Sequence, residues 1–300
     1  MMSLSVLPLD QDFPLLCRPA LPKDTPDVLE LTRTIWEGHD YIPYVWEDWL
    51  KDAEGTLTVV EYGGRVVGLG KITLLSPGQW WKEGLRVHPD FQGRGIASHL
   101  HKYQEDYFER FGDGVIRLAT ASFRVPVHRL CDRTGYQKIG EFSIFGASSL
   151  AETVDSFQPV SSEAIPEAWE FALQSPSLSL SCGLMDMGWK WATPTVARLE
   201  TAAQLQRVWR WRGDTGLLTF GEDEDDEGVK ALVVQLLACP LEHMADCLLD
   251  FRRMAASLGY AKVGLIAPLH PIALTALEIA GYQREWSDSL FLYEKKHPVI

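Results

Sequence analysis

Between Gly84 and Ala97 the chain reads Gly-Leu-Arg-Val-His-Pro-Asp-Phe-Gln-Gly-Arg-Gly-Ile-Ala, and no other stretch restricts the fold as much. A β-type run ends at Val87, and Pro89 stops it. Gly93 and Gly95 then precede a segment, Ile96 to Phe111, whose Ile96, Leu100, Tyr103, Tyr107 and Phe111 recur at helical spacing. The pattern predicts a strand, a glycine-built turn and a helix. First-turn amides have no intrahelical acceptor, the macrodipole favours negative charge, and the glycines let a ligand approach the main chain, so such a turn can seat a pyrophosphate. It is neither Gly-x-Gly-x-x-Gly nor a P-loop, since no Lys-Ser or Lys-Thr pair follows.

Around it, helices are predicted for Asp24 to Trp36, with Asp24 as N-cap, and for Tyr44 to Lys51. Thr56 to Tyr62 and Arg65 to Leu75 read as strands joined at Gly63-Gly64. Trp80 to Val87 is the next strand. Beyond the long helix come a strand Val115 to Thr120, a helix Pro126 to Arg133 and a strand Gln137 to Phe145. The run Gln92-x-x-Gly95-x-Ala97 after a Val-x-Pro strand end, set in this order of elements, resembles the acetyl-CoA signature of the GNAT superfamily of N-acetyltransferases. The resemblance implies pyrophosphate held by main-chain amides near residues 93 to 98. It thus makes Leu85, Arg86, Val87, Gln92, Gly93, Arg94, Gly95, Ile96, Ala97 and Ser98 the expected acetyl-CoA site.

At 300 residues the length suggests about two domains. The expected fold is α/β (α+β), with two GNAT-like domains, each a mixed central sheet flanked by helices. The first spans residues 1–150, a Ser-, Pro- and Ala-rich connecting region with one helix (Pro166 to Leu173) spans 151–181, and a degenerate second domain spans 182–300. The repeat is carried by Val115 to Phe145 and Lys262 to Tyr293. In each, a strand leads to a helix that exits through Gly-Tyr-Gln, at Gly135-Tyr136-Gln137 and Gly281-Tyr282-Gln283. Val229 to Ala238 would be the second central strand and Leu241 to Leu258 its long helix. The turn between them, Ala238-Cys239-Pro240-Leu241-Glu242-His243, lacks glycine and sets an acid at the helix start, which would repel a pyrophosphate.

A net charge of −13, with 16 basic and 20 acidic groups in residues 1–150 and 12 and 21 in the remainder, makes nucleic acid a poor partner. The acidic run Glu222 to Glu227 reads as a solvated loop rather than a metal site. Cys17, Cys131, Cys182, Cys239 and Cys247 are odd in number and form no C-x-x-C, against a disulfide framework and against structural zinc. No membrane span and no basic n-region are found, so the expected location is the cytoplasm.

Acetyl transfer to an amine requires a polarised thioester carbonyl, a deprotonated amine and a proton for the departing thiolate. The resemblance assigns the first to a main-chain N–H at Val87 or its neighbour. Glu83, flanked by Trp80 and Trp81 and placed on the same strand face as Leu85 and Val87, is the candidate base, unless Lys71, Lys82 or Arg86 satisfies it. Many members place the acid as a Tyr in a Leu-Tyr-x-x-x-Gly-Phe run. Here the run is Leu130 to Tyr136 with Cys131 at the Tyr position, so Cys131 and His128, one turn earlier, are the candidate acids. Arg124, where the family has Asn, could reach the pantetheine or 3′-phosphate.

The loop Ile35 to Pro43 would select the acceptor, with Trp36, Asp40 and Tyr41, together with Trp81, around a cationic amine that carries an apolar or ring-bearing body. Its Trp-x-Gly-x-Asp-Tyr-Ile-Pro, followed by Gly-Gly-Arg-Val-Val-Gly-Leu and Glu-Gly-Leu-Arg-Val, is similar to the histidine N-acetyltransferase group over residues 30 to 100. The implied function is acetylation of a small-molecule amine such as an amino acid, with the second domain closing the pocket or mediating a homodimer. Two alternatives stay open: a protein N-terminal or lysine acetyltransferase, and a non-catalytic CoA-binding module.

Overall fold

The computed structural model describes residues 14–152, 155–224 and 228–297. They divide into two compact units, Met1–Leu118 with Glu294–Ile300, and Ala119–Tyr293. This division differs from the boundaries near 150 and 182 expected from composition.

The first unit contains β1 (Leu16–Pro19), α1 (Thr25–Thr32), α2 (Ile42–Lys51), β2 (Thr56–Tyr62), β3 (Arg65–Ser76), β4 (Gln79–Val87), α3 (Ile96–Phe111) and most of β5 (Val115–Ala121). The sheet order is β1-β2-β3-β4-β5, antiparallel except for the parallel β4–β5 pair. Alternation along β2 and β3 explains the layers. Val59 and Val66 pack with Leu31, Ile42 and Trp46 of α1 and α2, while their neighbours Val60 and Val67 pack with Ile96 and Leu100 of α3. The first helix is shorter than expected. Asp24 lies in a 3₁₀ turn, where its carboxylate accepts the Leu21 N–H at 2.8 Å and pairs with Arg18 at 2.7 Å. At the other end the Thr32 hydroxyl bonds back to the Val28 carbonyl, and a second 3₁₀ turn, Ile35–Gly38, takes over.

The second unit contains α4 (Val125–Arg133), β6 (Gln137–Ser148), β7 (Phe157–Pro159), α5 (Ile165–Gln174), α6 (Pro176–Leu180), β8 (Met185–Asp186), β9 (Trp191–Ala192), α7 (Val196–Gln204), β10 (Val208–Trp211), β11 (Gly216–Glu224), β12 (Lys230–Ala238), α8 (Met244–Ser257), β13 (Lys262–Pro268), α9 (Pro271–Ile279) and β14 (Gln283–Arg284). Its sheet runs β6-β13-β12-β11-β10-β7, with β12 and β13 parallel. The repeat is visible in Tyr136 and Tyr282, both buried, whose N–H groups bond back to the carbonyls of Cys131 and Leu277. The stretch expected to connect two domains is instead part of this core: Ile165, Ala168, Ala172 and Leu178 pack with Leu199, Leu217 and Leu236. Glu222 to Glu224 extend β11 opposite Leu232 to Lys230, so they are strand rather than loop, and residues 225–227 lie outside the described residues.

The last strand, β15 (Leu290–Lys296), ends in the first unit. There Glu294 pairs with Arg117 at 2.8 Å, and His297 donates its main-chain N–H to Gly114 at 2.8 Å. Lys295 pairs with Glu105 of α3 at 2.6 Å, and the other oxygen of Glu105 binds Lys82 of β4 at 3.0 Å. Lys82 also reaches His101 Nδ1 at 2.8 Å, and Lys82, His101 and Glu105 are all nearly inaccessible. Burial, reinforced by the Lys82 charge, pushes His101 down to about 3. Burial acts upward on Glu105, but Lys82 and Lys295 overcome it and hold the carboxyl at about 2.

Both groups therefore bind protons more weakly folded than unfolded. Their contribution is complete above the ordinary histidine range and is lost as pH falls from about 6.5 toward the depressed values. Chemical denaturation across this range should show the loss of stability beginning below about pH 6.5, and His101→Asn should flatten the limb between about pH 6 and 4. An identical slope in the variant would remove His101 from the account.

Candidate active site

The predicted turn forms as the sequence requires. After a 3₁₀ turn at Pro89–Phe91, Gly93 and Gly95 take φ of 75° and 82°, conformations that L side chains rarely adopt, and Gly95 is the N-cap of the 16-residue α3. Nothing lies within 4 Å of a Cβ built on Gly95. The amides of Ile96, Ala97 and Ser98 open the helix and have no intrahelical acceptor. Gln92 closes the turn by donating to the Val87 carbonyl at 3.2 Å. Arg94 donates to the Asp90 carbonyl at 2.8 Å, while its Nε is buried without a partner. A concave, glycine-walled set of amides beside an incompletely satisfied guanidinium has the chemistry of an anion cradle.

β4 feeds this turn and changes phase on the way. Leu69 of β3 faces Arg86 and Lys71 faces Glu83, so Gly84 and Leu85 together oppose Gly70. This is a β-bulge, with Gly84 at φ 69°. Its consequence corrects one expectation. Glu83 does not share a face with Leu85 and Val87, which pack with Ile96 and Leu100 on the α3 side. Glu83 faces Thr73, whose hydroxyl donates to it at 3.1 Å, and carries its charge close to Tyr41. Among the cations near it in sequence or register, Lys71 pairs with Asp52, Lys82 with Glu105 and Arg86 with Asp40. On its other edge β4 pairs with β5 from Gln79 to Trp81.

The loop Ile35 to Pro43 brings its aromatic rings to the Glu83 face. Trp36 and Tyr41 stack with centroids 6.3 Å apart, and Trp49 meets Tyr41 edge-on at 6.0 Å. Burial first, then the Glu83 charge, push the Tyr41 pKa upward. Trp36 is 47% exposed, whereas Asp40, at 1%, and Trp81, at 3%, are enclosed. Asp40 does not offer its carboxylate to solvent, because Arg86 takes both oxygens, at 2.8 and 3.1 Å. Sequence reasoning missed Thr73, Trp49 and the use of Arg86 as a loop clamp. Gly84 inside a strand pattern was the available signal for the bulge.

His128, Cys131 and Arg124 belong to the second unit. His128 Nε2 lies 3.1 Å from the carbonyls of Ala121 and Ser122, which makes it the N–H nitrogen, and Nδ1 then accepts from the Tyr293 hydroxyl at 2.9 Å. Cys131 is fully buried, and Arg124 is exposed at the start of α4 with its guanidinium over Phe123. In that unit the turn after β12 carries no open amide cradle. α6 fills the end of β12: Ser177 Oγ donates to the Leu237 carbonyl at 2.9 Å and accepts the Cys239 N–H at 2.8 Å. Only about 40 Å³ remains there, room for a water molecule. Among the described residues no helix is long and apolar enough to cross a membrane.

Residues 25–136 match the Acetyltransferase (GNAT) family. The chain is 27% identical over 214 residues to "Probable N-acetyltransferase 16" of Homo sapiens, covering 64% of this chain and 57% of that protein. It is 29% identical over 85 residues to histidine N-acetyltransferase of Oreochromis niloticus, covering 28% and 25%. The chain thus spans about half, or a quarter, of the curated relatives it matches. In fold it is similar to a tandem GNAT protein from the clavulanic acid biosynthesis pathway, with a TM-score of 0.58, 12% identity, and coverage of 96% of this chain and all of that one.

Gly84→Ala tests the bulge. A Cβ would sit 2.6 Å from the Trp49 ring at a positive φ, so thermal or urea unfolding should show a loss of about 2 kcal/mol or more. A neutral result would mean that the bulge is not held by this contact.

Proposed function

We propose that this chain, whose residues 25–136 match the Acetyltransferase (GNAT) family, is an acetyl-CoA-dependent N-acetyltransferase that acts on the primary amine of a small molecule, an amino acid being the first class to test. The observation that carries the reading is the turn at Gly93 and Gly95, with nothing within 4 Å of a Cβ built on Gly95, at the head of α3 and just past the end of β4.

The amides from Gly93 to Ser98 would hold the diphosphate, with Arg94 adding charge. When bound, acetyl-CoA supplies the acetyl group as a thioester. A main-chain N–H at Val87 or its neighbour would hydrogen-bond the reacting carbonyl oxygen, a donor most valuable where charge develops. Glu83, held by Thr73 beside the Tyr41 ring, would take the proton from the acceptor's ammonium, while Trp36 and Tyr41 hold its body. The second unit, whose turn is closed by Ser177, would bind no second coenzyme, and the protein would work in the cytoplasm.

The direct experiment is calorimetry with acetyl-CoA followed by an acceptor panel, amino acids first, read by release of free thiol. One molecule of acetyl-CoA should bind per chain. Gly95→Glu, which places a carboxylate in the cradle, should weaken that binding by about a hundredfold or more by exclusion and repulsion. Undiminished binding would end the assignment of the turn. Glu83→Gln should lower turnover by about 10²-fold and abolish the acidic limb of the kcat/KM profile; a profile of unchanged shape would dismiss Glu83 as the base.

A further inference from the structure

Asp40 has the residue type of an acceptor-binding acid, yet its carboxylate is turned inward. Oδ2 accepts from Arg86 Nε at 2.8 Å, and Oδ1 accepts from Arg86 at 3.1 Å and from the Ile42 N–H at 3.2 Å. The guanidinium held this way lies 4.4 Å from the Trp36 ring centroid and 5.5 Å from that of Tyr41, and it also donates to its neighbour's carbonyl, Leu85, at 3.2 Å. Trp36 meanwhile occupies a φ of 48°, which a bulky side chain adopts only when its surroundings hold it there. The clamp thus joins β4 to a strained and exposed tryptophan.

We propose that Asp40 and Arg86 form a positioning couple that fixes the Trp36–Tyr41 face against β4 and makes it select acceptors with a planar, uncharged body. Neither residue touches the acceptor. Arg86 already supplies the cation that these rings attract, so a second cation gains little on them, whereas a flat neutral ring can still stack. The amine itself is left to Glu83. The inference rests on the acetyltransferase reading for its selectivity and on geometry alone for the clamp.

The test compares the unmodified protein with Asp40→Asn and Arg86→Lys on three amino-acid acceptors, one ring-bearing, one aliphatic and one dibasic, alongside near-ultraviolet circular dichroism without acceptor. The unmodified protein should prefer the ring-bearing acceptor. Asp40→Asn should raise the KM of that acceptor about tenfold, the scale of one lost charge-assisted pair. The KM for acetyl-CoA and kcat should stay within about twofold, the preference should collapse, and the Trp–Tyr dichroic band should fade. Arg86→Lys keeps the charge but loses the bidentate fork, so its acceptor preference and its dichroic band should fall in the same way, and these two readouts carry the test if Asp40→Asn does not fold. Unchanged acceptor preference in folded variants, or parallel shifts in both KM values, would overturn the couple. If the unmodified protein acetylates nothing, the catalytic reading fails by itself. The dichroic band then decides the clamp, its loss in Asp40→Asn keeping it and its persistence refuting it.

Discussion

Because Arg86 and Glu83 of β4 oppose Leu69 and Lys71 of β3, with Gly84 and Leu85 sharing the place of one residue, the side chains before and after the bulge are out of phase with simple alternation. Without it, Glu83 and Arg86 would point to opposite faces. With it, both reach the side covered by α1 and α2, and Leu85 and Val87 reach the apolar side under α3. Carboxylate, guanidinium and aromatic loop meet because one glycine accepts a positive φ beneath Trp49. The glycine turn at Gly95 and the aromatic loop at Tyr41 are thus served by two sides of one strand.

Before the bulge, the α3 side of that strand is unusually polar for an interior. Lys82, His101 and Glu105 lie where aliphatic residues would cost less, and ions removed from water repay their desolvation only when their partners are complete. Glu105 achieves this with an ammonium on each oxygen, one from β4 and one from the chain's last strand. His101 stays neutral and accepts from Lys82. The cluster therefore specifies which strand end may dock on α3, a selectivity that a hydrophobic seam would not impose.

Much of this was legible beforehand. The turn, the length of α3 and the hairpin at Gly63-Gly64 follow from glycine and apolar spacing, which are local signals. Three things were not. Strand registers depend on bulges: a second irregularity between Leu74 and Ser76 shifts the partner of Thr73 to Trp81, so counting back from the turn misplaces the residue that holds Glu83. The fate of Asp40 depends on a partner forty-six positions away, and residue type alone could not distinguish a ligand from a clamp. Composition made residues 151–181 read as a connection, although Ile165, Ala168 and Ala172 have the spacing of a buried face.

The contribution of residues 294–297 to the first unit has a bearing on biosynthesis. A nascent chain emerging from the ribosome can order α1, α2 and β2 to β4 early, but Glu105 and Arg117 wait for Lys295 and Glu294 until 175 intervening residues of the second unit have been made. During that interval the first unit lacks the strand end that completes it, and an open strand position is a place where chains can pair wrongly when crowded.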